Sequence, residues 1–156
     1  MYDSIILRTV AKIMLPLLLL LSLFMLVRGH NLPGGGFIGG LVGASAVILQ
    51  VIAYGPARAR AMMPINFLNL AAFGVIFAVI WGFLGMAFGQ AYMLPFWLKE
   101  PVPGIGKIGT PVLFDIGVYL TVIGVTTQLA LVIAEEPYLY PLKGRSVRPE
   151  SPAPEA

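Results

Sequence analysis

The sequence predicts an all-α integral membrane protein, with four transmembrane helices and a glycine-rich loop between helices 1 and 2. Three observations carry this. The composition is 58% hydrophobic and only 11% charged, with a mean hydropathy of +0.90, whereas soluble domains carry about a quarter charged residues. A chain of 156 residues this apolar has too little polar surface to face water. The apolar residues also fall into four runs, each near the ~20 residues that cross a hydrocarbon layer. Glycines and prolines, 18 and 13 in number, punctuate the ends of those runs. The length is that of one domain.

The first span is expected over about residues 5–27. Its uncharged part, Ile13 to Val27, is short for a bilayer at about 1.5 Å per residue. Arg8 and Lys12 therefore belong to its first turns and snorkel towards headgroups. Pro16 bends the helix and frees a carbonyl. The run is too long and leucine-rich for a cleaved signal peptide, and no small-residue cleavage pattern precedes Arg28, so it is expected to be retained.

Between the first two spans lies Gly29 to Gly43, which includes His30, Asn31, Pro33, Gly34, Gly35, Gly36, Gly39 and Gly40. Glycine permits positive φ and close backbone approach, and Pro33 removes a donor. Such a run does not continue a helix, so it is expected to shape a loop that delivers the chain into a second span over about residues 37–54. In that span Gly36, Gly40 and Ala44 lie four apart, as do Gly39 and Gly43, a spacing that lets helices approach closely in lipid. Gly55-Pro56 ends it, and residues 55–64, with Arg58 and Arg60, are expected to be a loop. The third span is expected over about residues 66–88, with Gly74, Ala78 and Gly82 as its small-residue stripe. Residues 90–111 form the longest connection, where Trp97 and Tyr92, with Trp81, suit an interfacial aromatic belt. The fourth span is expected over about residues 112–134, stopped by Glu135-Glu136-Pro137. Together residues 1–136 make the transmembrane domain, and 137–156 a proline-rich, largely disordered cytoplasmic tail.

Four spans put both termini on one side. Seven of the ten basic residues (Arg8, Lys12, Arg58, Arg60, Lys143, Arg145, Arg148) fall on that side and three (Arg28, Lys99, Lys107) on the other, which predicts cytoplasmic termini. The net charge of +3 thus records orientation, not nucleic-acid binding. No cysteine is present, which excludes disulfides and thiolate metal sites.

Asp115 is the strongest candidate for chemistry. A carboxylate inside a membrane segment is costly and usually faces a partner, a cavity or an ion path. The alternative is that it lies shallow, near the start of its helix, and caps a helix or pairs with a loop lysine. His30 belongs to the residue type that titrates near neutrality. It is expected either to relay a proton or bind an ion or, by hydrogen-bonding the loop backbone, to fix its shape. A lone histidine is a poor metal site, and no metal or cofactor is expected. The glycines do not form a phosphate loop, because no Gly-x4-Gly-Lys-Ser/Thr pattern is present. They are expected to serve loop shape and packing. Gln50 and Gln128 are expected to hydrogen-bond across helices. No nucleophile–base pair is present, so enzymatic activity is not expected. Nor is there a chain of ionisable groups through the bilayer, so the chain is not expected to move ions unaided.

The run Gly29-His30-Asn31-x-Pro33-Gly34-Gly35-Gly36-Phe37-x-Gly39-Gly40-Leu41, and Leu113-Phe114-Asp115-Ile116-Gly117-Val118-Tyr119-Leu120 downstream, resemble the signatures of the MrpB or MnhB family, a membrane component of Mrp-type multisubunit Na+/H+ antiporters. The resemblance covers roughly residues 5 to 134. It implies a prokaryotic cell (inner) membrane subunit that assembles with the Mrp subunits A, C, D, E, F and G, where other subunits carry the main proton channels. It would be required for assembly, with Asp115 or His30 lining part of the sodium path. The small-residue stripes would pack against those partners. The alternative is the equivalent Mrp-like subunit of a membrane-bound hydrogenase or related respiratory complex.

Overall fold

The structure is a computed structural model and describes residues 5–29, 34–87 and 109–139. His30, Asn31 and Pro33, most of the 90–111 connection, and residues 140–156 of the expected tail lie outside the described residues. Five helices are present among the described residues: α1 (Ile5–Arg28), α2 (Gly35–Tyr54), α3 (Pro56–Met62), α4 (Phe67–Ala87) and α5 (Thr110–Leu139). Four of them, α1, α2, α4 and α5, are long and apolar enough to cross a membrane.

The boundaries depart from expectation at three places. Residues 56–62 are a helix, not an open loop. Gly55 takes a φ of +83° that only glycine adopts freely, which breaks α2. Pro56 then occupies a first-turn position where its missing N–H costs nothing, and an Ala-Arg-Ala-Arg-Ala run propagates the turn. Second, α2 starts at Gly35, inside the glycine run, because Gly34 at φ +100° supplies the turn into it. Third, α5 runs through Glu135-Glu136-Pro137 to Leu139. A proline removes one helical hydrogen bond and does not by itself end a helix. The start expected for the tail at 137 thus falls inside α5.

Asn66 caps α4: its Oδ1 accepts from the Leu68 and Asn69 N–H groups at 3.1 and 3.2 Å, as a helix start requires. Pro16 lies within α1.

The four long helices stand in a single row, in the order α1, α2, α5, α4, with α1 and α4 at the two edges and out of contact with each other. Helices α1 and α2 are antiparallel, as are α4 and α5. In contrast, α2 and α5 run parallel: Gly36 meets Asp115, Gly40 meets Val122 and Gly43 meets Ile123. Helix α2, flanked on both sides, has 50% of its apolar window buried, against 11% for α1. A small cluster of Val47, Val51, Ala59, Phe67 and Leu131 closes the row at the α3 end.

The small-residue stripes form these internal seams. This corrects the expectation that they pack against partners. A Cβ on Gly117 would lie 2.7 Å from the Ala78 nitrogen, and one on Gly124 would lie 2.6 Å from the Phe67 carbonyl. Helices that close leave no room for a side chain, and lipid gives large residues no reason to turn inward. Leucines, isoleucines and phenylalanines accordingly point outward, from Leu20 and Phe24 on α1 to Ile76 and Ile80 on α4.

Candidate functional site

The site lies where α1 hands over to α2. Gly29 and Gly35 stand backbone to backbone, and a Cβ on either would collide with the other. They bring the end of α1 and the start of α2 together. Beside Gly35, Gly34 is exposed and in the left-handed region. Gly36 is buried, and a side chain there would strike the Asp115 backbone carbonyl.

Asp115 sits on α5, about 7 Å along the axis from its start at roughly 1.5 Å per residue. Its Oδ2 accepts the Gly36 N–H at 3.2 Å. Helix α2 has no side-chain cap and no acid in its first turn, so its free N–H groups and positive end need a partner from elsewhere. Asp115 supplies the negative charge from α5. Such a placement is worth up to about 2 kcal/mol where it is partly buried. The residue also stays partly exposed, so the capped carboxylate still borders the surface of the row.

One turn further along α5, Tyr119 points at α1. The buried Ser22 hydroxyl donates to the Gly39 carbonyl at 2.8 Å and lies 2.8 Å from the Tyr119 hydroxyl. A serine has one proton to give, so Tyr119 donates to Ser22. Three helices are thus tied at one level. Gly39 and Gly43 make the approach possible: a Cβ on Gly43 would be 2.8 Å from Ser22 Oγ. A Cβ on Gly40 would likewise be 2.8 Å from the Val122 Cβ.

Sequence reasoning placed Asp115 and the glycines but missed Ser22 and Tyr119. The signal for Ser22 was a lone hydroxyl in the leucine run of α1. Gln50 is buried and donates to the Ala11 carbonyl across α1 and α2 at 2.7 Å, next to the Lys12 carbonyl that Pro16 leaves without its helical donor. Gln128 is half-buried on α5 and Lys12 is exposed. Among the described residues, no group of three His, Cys, Asp or Glu side chains could hold a metal.

At the other end of the row, Arg60 of α3 pairs with Glu135 of α5 in a two-pronged contact, Nε to Oε1 at 2.5 Å and Nη2 to Oε2 at 3.2 Å. The hydrogen bond to Glu135 raises the Arg60 pKa above the usual arginine value, with burial acting against it and the charge of Glu135 adding to it.

Fold and site together define a polytopic helical membrane protein, assembled on a glycine-seamed helix whose N-terminus is held by a carboxylate from a neighbouring span. Residues 6–128 match the family model described as "Domain related to MnhB subunit of Na+/H+ antiporter". Over 136 residues the chain is 35% identical to the B-type Na(+)/H(+) antiporter subunit of Bacillus subtilis, covering 86% of this chain and 95% of that one. It is 34% identical to the protein of the same name from Alkalihalophilus pseudofirmus, covering 86% of this chain and 94% of that one. Among solved structures it resembles the Mrp complex from Dietzia sp. DQ12-45-1b, with a TM-score of 0.68 and 36% identity over 82% of this chain. The chain spans only 13% of the solved chain it matches there. This protein belongs to the MnhB family. The hydrogenase alternative gains no support from these relatives.

Proposed function

We propose that this chain is the B-type membrane subunit of an Mrp-type multisubunit Na+/H+ antiporter, required for assembly of the complex and inactive on its own. Its partners are the Mrp subunits A, C, D, E, F and G. It resides in the prokaryotic cell membrane with both termini in the cytoplasm, and acts as a transporter subunit without covalent catalysis. The observation that carries the reading is the near end-to-end match to the B-type Na(+)/H(+) antiporter subunit of Bacillus subtilis. Within that role, Asp115 borders the sodium path and also anchors α2, while His30 is the second candidate on the same route. Asn31, Pro33, Gly34, Gly35, Gly36, Gly39 and Gly40 shape the loop and its seam.

Asp115→Asn tests the ion role. An amide oxygen still accepts the Gly36 N–H, so α2 keeps its partner while the charge is lost. The expected outcome is a complex that assembles normally and exports sodium slowly. Full-rate efflux by an assembled Asp115→Asn complex would remove Asp115 from the path. Deleting the gene tests the subunit role separately: antiport should vanish, and the purified chain in liposomes should exchange nothing.

A further inference from the structure

The hydroxyl junction of Ser22 and Tyr119 lies one turn along α5 from Asp115, and both act on the first turns of α2. On α5, Asp115 and Tyr119 are about 6 Å apart along the axis at 1.5 Å per residue. On α2, which runs parallel, the groups they reach belong to Gly36 and Gly39. Asp115 Oδ2 accepts the Gly36 N–H at 3.2 Å. Tyr119 reaches Gly39 through the buried Ser22 hydroxyl of α1, across two contacts of 2.8 Å. A Cβ on Gly39 would lie 2.9 Å from the Ser22 carbonyl oxygen and 3.4 Å from Tyr119 Cδ2, so glycine is what lets both residues close on this turn.

Neither tie suffices alone. At 3.2 Å the Asp115 bond is at the long end of the ordinary range, and a single contact leaves α5 free to pivot about it. Gly36, Gly39, Gly40 and Gly43 give α2 no side chains with which to key α5 against sliding. Two ties fix both the depth and the rotation of the turn that bears the carboxylate. Asp115 is half-buried at the surface of the row, where a small rotation of α5 either hides its carboxylate or swings it away from Gly36. An ion ligand has to be held within about 0.5 Å of its working position. Groups that touch the ligand's support, and not the ion, commonly set that position.

From this geometry we propose that Tyr119 and Ser22 are positioning residues for the Asp115 carboxylate. Through the Gly39 carbonyl they hold α5 in the register at which that carboxylate meets sodium. The inference rests on the proposed sodium role of Asp115. Neither hydroxyl touches the ion. Tyr119 donates its proton to Ser22, which donates its own to Gly39, so both stay engaged whether or not the ion is bound. Their loss weakens sodium binding and leaves the later steps of transport alone.

The test is sodium-dependent proton exchange in everted membrane vesicles that carry the whole complex. Rates are divided by the amount of assembled complex, measured through a tag on this chain. Tyr119→Phe should raise the KM for sodium about threefold, the factor equivalent to one hydrogen bond between membrane helices, with Vmax per complex unchanged. Ser22→Ala removes both contacts and should raise it about tenfold. Gln50→Met is the control. It removes a bond of the same kind, from Gln50 Nε2 to the Ala11 carbonyl, about 16 Å along α2 from Gly39, and should leave KM at the parent value. In an Asp115→Asn complex, Tyr119→Phe should add no further rise in KM. A lower yield or Vmax with KM unchanged would show that the junction only holds the helices together, and would overturn the proposal. So would an equal rise in Gln50→Met, or a rise from Tyr119→Phe that persists in Asp115→Asn. Asp115→Asn by itself separates this inference from the reading beneath it. Parent-like sodium dependence there removes both, whereas a changed dependence there with none in Tyr119→Phe overturns the positioning role alone. Should Ser22→Ala fail to assemble, Tyr119→Phe, which keeps the Ser22–Gly39 bond, carries the comparison.

Discussion

Adding a single methyl group at Gly74 should do more damage than adding a whole isopropyl group two residues away. A Cβ on Gly74 would lie 2.6 Å from both the nitrogen and Oγ1 of Thr121 and 2.7 Å from the Gly117 carbonyl. Ordinary contacts begin at 3.4 Å, so α4 and α5 must part by about 0.8 Å, a displacement that close-packed interiors resist. The obstacles cannot turn aside. Two belong to the α5 backbone, and the third, the Thr121 hydroxyl, is held by its 2.8 Å bond to Gly117. The same seam is closed on either side by Gly117 against Ala78 and Gly124 against Ala71, so parting it at the middle loosens three contacts together. Gly74→Ala should therefore cost about 1–3 kcal/mol, the range for forced overpacking. Ala72 is exposed on the same helix, and Ala72→Leu should cost nearly nothing in a lipid-like solvent. The assay is unfolding of the full chain in mild detergent, followed by tryptophan fluorescence, to which Trp81 on α4 contributes. Reasoning from the seam fails if Gly74→Ala unfolds within about 0.5 kcal/mol of the parent, the ordinary scatter of surface substitutions. It fails equally if Ala72→Leu proves as costly.

Two further outcomes follow from the hydrogen bonds. Ser22→Ala removes both the donor to Gly39 and the acceptor for Tyr119, and should cost about 1–2 kcal/mol. Tyr119→Phe leaves the Ser22–Gly39 bond in place and should cost only about 0.6 kcal/mol, typical of one bond between membrane helices. Comparable losses in the same unfolding assay would mean that Tyr119 is not the donor. The Arg60–Glu135 pair is exposed at Arg60 and half-buried at Glu135, with side-chain exposures of 41% and 28%, so Arg60→Gln should cost no more than about 1 kcal/mol. Its alkaline pH dependence has a definite sign. A cation whose pKa is raised on folding contributes fully below its unfolded value and loses that contribution only as pH climbs through the folded value. The difference between parent and Arg60→Gln should then stay flat from pH 7 to about 11, since arginine does not deprotonate there. A steady drift across that range, in paired unfolding curves, would refute the assignment.

The class of fold was legible because lipid imposes one rule along the whole chain: long apolar runs must be helices that satisfy their own backbone. Boundaries were less so. Residues 56–62 looked like a loop because two arginines and a proline interrupt the hydropathy, yet Pro56 at a first turn and three alanines are favourable helix chemistry. The Gly74, Ala78 and Gly82 pattern was visible, and its consequence, close helix approach, is what the structure contains at Gly74 and Ala78. Which helices approach was not visible, since a glycine carries no sign of its partner. The same holds at the site. Asp115 stood out by its cost in lipid, and a capping role was one of two readings open. The Gly36 N–H that it accepts could not be read from sequence, because 79 residues separate the two. Ser22 and Tyr119 were hidden for the same reason.

A row of helices, unlike a closed bundle, has no interior through which an ion could pass. Three sets of polar groups along its central seams are engaged with one another, Gly36 with Asp115, Ser22 with Gly39 and Tyr119, and Gln50 with Ala11, while the fully buried Thr127 hydroxyl of α5 has no hydrogen-bond partner among the described residues. Between the Ser22 level and the Gln50 level, α2 presents buried Ala46 and Val47, roughly 10 Å of apolar contact at 1.5 Å per residue. A hydrated sodium ion cannot cross such a stretch without ligands. Any route that uses Asp115 must therefore run along a face of the row, where that residue remains partly exposed, and must be completed by a surface other than the described helices. Large apolar side chains on the outer faces do not identify that surface, since lipid satisfies them as well as protein does. If Asp115 borders the sodium path as proposed, its partly exposed carboxylate and the apolar stretch behind it put the rest of that path on a surface outside the described helices.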